Sequence, residues 1–158
     1  MKFFKLTIFL IVVSLLLIGC TESSDEIKIE GLKLDTVISS IKEQGIQLEL
    51  ISQENNSGDS IFQEKLNGIE PTTYSTSSGR LYIYVFPSEG SLEEGIRQFE
   101  QKTADLELIL HGQYQVKNIL IFYHDLEANN NKERFRKIDN KIRQAVSVLK
   151  NYDKEEAP

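Results

Sequence analysis

The stretch RLYIYVF, residues 80 to 86, puts Leu81, Ile83 and Val85 on one side of an extended chain and Tyr82, Tyr84 and Phe86 on the other. Successive strand side chains point to opposite faces, so neither face of this segment is polar. Such a strand belongs in the middle of a sheet, and Pro87 ends it. The rest of the chain has to supply its neighbours and its cover.

Two segments read as amphipathic helices that can cover it. DTVISSIKEQ, residues 35 to 44, carries Val37, Ile38 and Ile41 on one face, with Asp35 as N-cap and Gly45 as stop. Near the C-terminus, Phe135, Ile138, Ile142, Ala145, Val146 and Leu149 recur at three and four residues between charged positions. A third helix comes after Pro87, with Ser91 and Glu94 spaced as a capping box and Leu92, Gly95, Ile96 and Phe99 inward. Gly95 weakens that helix but permits close packing on the sheet.

Further strands are expected at IQLELI (46 to 51) and YQVKNILIFY (114 to 123), the latter with Lys117-Asn118 as a turn or bulge. DLELILH, residues 105 to 111, fits a strand or a helix extension. One or two helical turns fit residues 60 to 67, and the serines of STSSG, 75 to 79, fit a flexible turn. The expected fold is therefore α+β, with one small mixed or antiparallel sheet packed against amphipathic helices. Strand 80–86, the helix near 91–103 and strand 116–123 can form a right-handed βαβ unit. Residues 31–152 form a single domain in this reading, with 153–158 a frayed end.

The first twenty residues carry a different signal. Lys2 and Lys5 precede LTIFLIVVSLLLI, an uncharged run from residue 6 to residue 18, which is the layout of a secretory signal. Thirteen helical residues reach about 20 Å, short of a hydrocarbon core of about 30 Å. The segment after Cys20, TESSDE, is acidic and offers no basic stop-transfer cluster. Leu17-Ile18-Gly19-Cys20 resembles a lipobox, the cleavage signal of bacterial lipoproteins. That resemblance implies a diacylglycerol on the Cys20 thiol and cleavage just before it. Residues 1–19 are then a lipoprotein signal peptide and 20–30 a lipid-anchored polar tether. Cys20 is the only cysteine in the chain.

KLNGIEPTTY, LYIYVFPSEGSLEEGIRQFE and YQVKNILIFYHD, within roughly residues 60 to 125, are similar to small uncharacterised lipoproteins of spore-forming Gram-positive bacteria. The resemblance implies an anchor on the outer face of the plasma membrane and transfers no activity. The net charge is -6, and -8 once Lys2 and Lys5 are removed. Such a surface disfavours nucleic acid and anionic headgroups, so membrane attachment rests on the lipid.

Chemistry is sparse. His111 and His124, with Asp125 beside the latter, can supply two metal ligands if the segment between them is a hairpin, but no metal motif supports this. No metal, cofactor or catalytic residue is assigned. No nucleophile elbow or phosphate loop is present. The carboxylates fall on helical outer faces. Tyr82, Tyr84, Phe86, Phe122 and Tyr123 lie on two neighbouring strands. With one sheet face uncovered, Tyr82, Tyr84 and Tyr123 would form a partner surface. With both amphipathic helices seated, they are core, and that reading is the stronger. The expected function is a binding module at the cell envelope, contacting an envelope protein or a cell-wall polymer. The alternative is an extracytoplasmic enzyme acting on cell-wall material.

Overall fold

The computed structural model describes residues 31–52, 60–108, 110–125, 128 and 130–152. Leu17, Ile18, Gly19 and Cys20, and with them the signal and tether, lie outside the described residues.

The described elements run α1 (Leu34–Glu43), β1 (Glu49–Leu50), a 3₁₀ turn (Ile61–Gln63), β2 (Thr72–Ser75), β3 (Gly79–Val85), α2 (Glu89–Thr103), β4 (His111–Val116), β5 (Ile119–Asp125) and α3 (Lys132–Leu149). The five strands form one antiparallel sheet in the order β1-β2-β3-β5-β4. The fold is α+β, and β3, the strand with two apolar faces, occupies the middle.

Both faces of the sheet are covered. Leu81, Ile83, Ile119, Ile121 and Tyr123 meet Val37 and Ile41 of α1 and Ile142, Ala145 and Leu149 of α3. Tyr82, Tyr84, Phe86, Leu120 and Phe122 meet Leu92 and Phe99 of α2, together with Phe62 and Leu66. The second core is dense in rings: Phe99 and Phe122 lie 4.4 Å apart, and Phe62 stacks at 5.9 Å on both Tyr82 and Phe99. Gly95 is what lets α2 come this close. A Cβ there would stand 2.5 Å from the Phe86 ring, inside van der Waals contact.

The expected βαβ unit does not form. Residues 114 to 123 fold back at Lys117-Asn118, where Lys117 has φ 51°, so β5 runs antiparallel to β3. The strand parallel to β3 is β4, with β5 inserted between them. A two-residue turn costs less chain entropy than a second crossover, so the hairpin forms instead.

Several element boundaries differ from the expected ones for local reasons. Ser88, not Ser91, caps α2, its hydroxyl accepting from Ser91 N at 3.2 Å. Ser91 instead holds Asn67, whose Nδ2 donates to the Ser91 Oγ at 2.9 Å. Lys33, not Asp35, is the N-cap residue of α1, and Asp35 lies in the first turn, where its charge favours the positive helix end. IQLELI keeps only Glu49–Leu50 as strand. Residues 106 to 108 are irregular.

Candidate functional site

Tyr82, Tyr84 and Tyr123 do not form a partner surface. Their exposures are 1%, 0% and 0%, because α2 covers Tyr82 and Tyr84 while α1 and α3 cover the opposite face, where Tyr123 sits. Their neighbours show why tyrosine stands there. Tyr84 Oη donates to the Phe62 and Glu64 carbonyls at 3.0 and 2.6 Å. Burial, with the Glu64 charge adding to it, pushes that phenol far above its usual range. Tyr123 Oη lies 2.8 Å from the Ser78 hydroxyl and 3.4 Å from Asp125 Oδ2.

The two histidines are brought together. The segment between them is the β4–β5 hairpin, and His111 stands directly opposite His124. The same register line crosses the whole sheet as Glu49, Ser75, Arg80, His124 and His111. Directly opposed residues in antiparallel strands share a face, so these five side chains form a polar strip along the end of the α2 face. Phe62 lies against both imidazoles, its ring centroid 5.0 Å from His111 and 5.4 Å from His124.

His124 is the member whose charge is least tolerated. Its Nδ1 is buried and has no hydrogen-bond partner among the described residues. Burial lowers its pKa below the ordinary histidine value, and the neighbouring His111 and Arg80 oppose its charge further, against a pull from Asp125. Arg80 stands between Ser75 and His124 in the strip. Two strand spacings, about 9–10 Å, therefore separate the serine from the imidazole, too far for a hydroxyl–imidazole hydrogen bond. The strip thus presents a guanidinium and two imidazoles beside an aromatic ring. That set can hold an acceptor-rich ligand, and it does not assemble a serine nucleophile.

Among the described residues, no group of three or more His, Cys, Asp or Glu could hold a metal ion, and no helix is long and apolar enough to cross a membrane. Two other polar clusters serve the fold. Asp125, fully buried, accepts from Arg134 Nη2 at 2.6 Å and Nε at 3.2 Å, fastening the start of α3 to the end of β5. Asn118, also fully buried, accepts from Leu32 N at 2.8 Å and donates to the carbonyls of Leu32 at 3.1 Å and Phe86 at 2.8 Å. The first described residues are thereby latched to the β4–β5 turn.

Sequence reading finds His111 and His124 but misses Arg80 and Phe62. Arg80 carries a signal, since it is the charged head of an otherwise apolar strand. Phe62 carries none, because it reaches the strip from the 3₁₀ turn Ile61–Gln63, and no sequence pattern ties that turn to β4 and β5. Comparison of the chain with protein-family models, with curated proteins and with solved structures finds no match.

Proposed function

We propose that this chain is a lipid-anchored binding module on the outer face of the bacterial plasma membrane. Diacylglycerol on Cys20 is its membrane attachment, and an envelope protein or cell-wall polymer is its partner. The carrying observation is Leu17-Ile18-Gly19-Cys20 placed directly after an uncharged run that begins behind two lysines. Two or three acyl chains anchor stably where one does not, since each buried CH₂ contributes about 0.8 kcal/mol. The latch at Asn118 supports the same reading. A tether of residues 20–30 would leave the domain at a fixed point, beside the Leu32 backbone that Asn118 holds. The polar strip is a surface for recognition that needs no nucleophile.

Substituting Cys20→Ser should abolish labelling of the chain by a palmitate analogue in cells, and release the chain from the membrane fraction. Persistent labelling would refute the anchor. Crosslinking in intact cells should recover a specific partner. No partner, together with hydrolysis of wall material by the protein, would replace the binding reading with the enzymatic one.

A further inference from the structure

The sheet has two edges, and they differ. β1 is two residues long, whereas β4 runs six residues from His111 to Val116 with no strand beyond it among the described residues. The two-residue turn makes Val116 and Ile119 the closing hydrogen-bonded pair. Alternation then turns the backbone of Tyr114 and Gly112 toward β5, and that of Gln113 and Gln115 outward. Natural edge strands are normally guarded by charge, proline, a bulge or shortness. From Gly112 to Val116, GQYQV has no charge and no proline, and its register with β5 runs without a break.

A groove of about 260 Å³ lies along this edge. Tyr114 and Val146 form its apolar part, and its α3 wall carries Arg143, Ser147 and Lys150. The Arg143 guanidinium lies 5.4 Å from the Tyr114 ring centroid and is held by Asp139, which Tyr114 Oη also reaches at 2.6 Å. Asp139 balances Arg143, so Lys150 is the charge that makes this wall positive on a chain whose net charge is -6.

We propose that β4 is a docking strand. An extended segment of a partner protein, acidic at alternate positions, adds to the sheet beside β4. Its backbone pairs with Gln113 and Gln115, and its acidic side chains face Lys150 and Arg143. Main-chain pairing gives strand addition its affinity, and alternate side chains give it specificity. The cationic wall decides against a second copy of this chain. Symmetric pairing through β4 would set the Lys150 side chains of two walls against each other, a like-charge contact that an acidic segment replaces with attraction. This inference rests on the binding-module reading and names the class of partner.

The test uses the full chain in detergent and two fluorescent decapeptides, one alternating valine with glutamate and one alternating valine with lysine. The valine–glutamate peptide should bind at least tenfold more tightly and slow amide exchange at Gln113 and Gln115. Gln113→Pro removes an outward N–H and no bond to β5, and should weaken binding at least tenfold. Lys150→Glu with Ser147→Glu, both on exposed positions, should reverse the preference between the peptides. Equal binding of the two peptides would overturn the proposal. So would full binding by a folded Gln113→Pro variant, or a dimer in sedimentation that this variant abolishes. Failed palmitate labelling with intact peptide binding would remove the anchor alone. A partner crosslinked in cells without peptide binding would remove the β4 docking alone.

Discussion

Replacing Asn118 with alanine is the sharpest test of how the described N-terminal segment is held. The side chain is fully buried and makes three hydrogen bonds, all to backbone: one from Leu32 N and two to the carbonyls of Leu32 and Phe86. Each such bond is worth about 1 kcal/mol net, so their loss alone removes about 3 kcal/mol. Two relaxations are open. If Leu32 stays in place, the three abandoned groups remain dry, and each costs about 1–1.5 kcal/mol in place of the net value of its bond. If Leu32 swings out to regain water, its buried side chain is lost from the core, at a cost of about 2 kcal/mol. Either route predicts a destabilisation of about 3–5 kcal/mol in equilibrium urea unfolding followed by circular dichroism. Amide exchange separates the routes, since Leu32 N loses protection only in the second. Gly31→Ala supplies a cross-check. Its Cβ would collide with Asn118 Oδ1, so part of its cost should vanish when residue 118 is already alanine. A loss below about 1 kcal/mol for Asn118→Ala would refute the latch as a stabilising device.

Three more outcomes are expected from the packing. His124 has a pKa lowered by burial and by His111, so the unfolded chain binds its proton first as pH falls. Stability from this group is full above the unfolded value near 6.5 and declines as pH drops below it; urea midpoints should show that decline, and His124→Leu should flatten it. Gly95→Ala should destabilise by about 1–3 kcal/mol through the Phe86 clash, although alanine is the better helix former by about 1 kcal/mol. A rise in melting temperature would refute the close approach. Arg134→Met leaves the Asp125 carboxylate buried without its bidentate partner and should cost about 3 kcal/mol or more, read from urea unfolding at neutral pH.

The fold is legible where periodicity is strong. α3 repeats its apolar stripe along its whole length, and β3 has no polar face, so the pattern alone assigns both, with β3 at the sheet centre. Pattern misleads where one residue has two partners to choose from. Ser91 sits at capping-box spacing, but Ser88 stands three residues before it in extended backbone and takes the cap. TTYS gives no strand signal of its own because four residues between Pro71 and a serine-rich turn are too short a window; its strand exists because β3 offers an edge on that side. The pairing of β4 with β5 turns on Lys117 in left-handed backbone, a conformation that no composition signal announces for lysine. The polar strip is legible in the sequence only as scattered letters. Glu49, Ser75, Arg80, His124 and His111 become one line through register, which sequence order does not carry.

The sheet keeps its two cores apart. Tyr82 and Ile83 are joined by a peptide bond, yet one belongs to the ring-dense core under α2 and the other to the mostly aliphatic core under α1 and α3. The same holds for Phe122 and Tyr123. Along β3 and β5, adjacent letters are therefore thermodynamic strangers, while letters distant in the chain are close neighbours. Substitutions in one core can accumulate and be compensated without consulting the other, and the chain can drift along two tracks that share only a backbone.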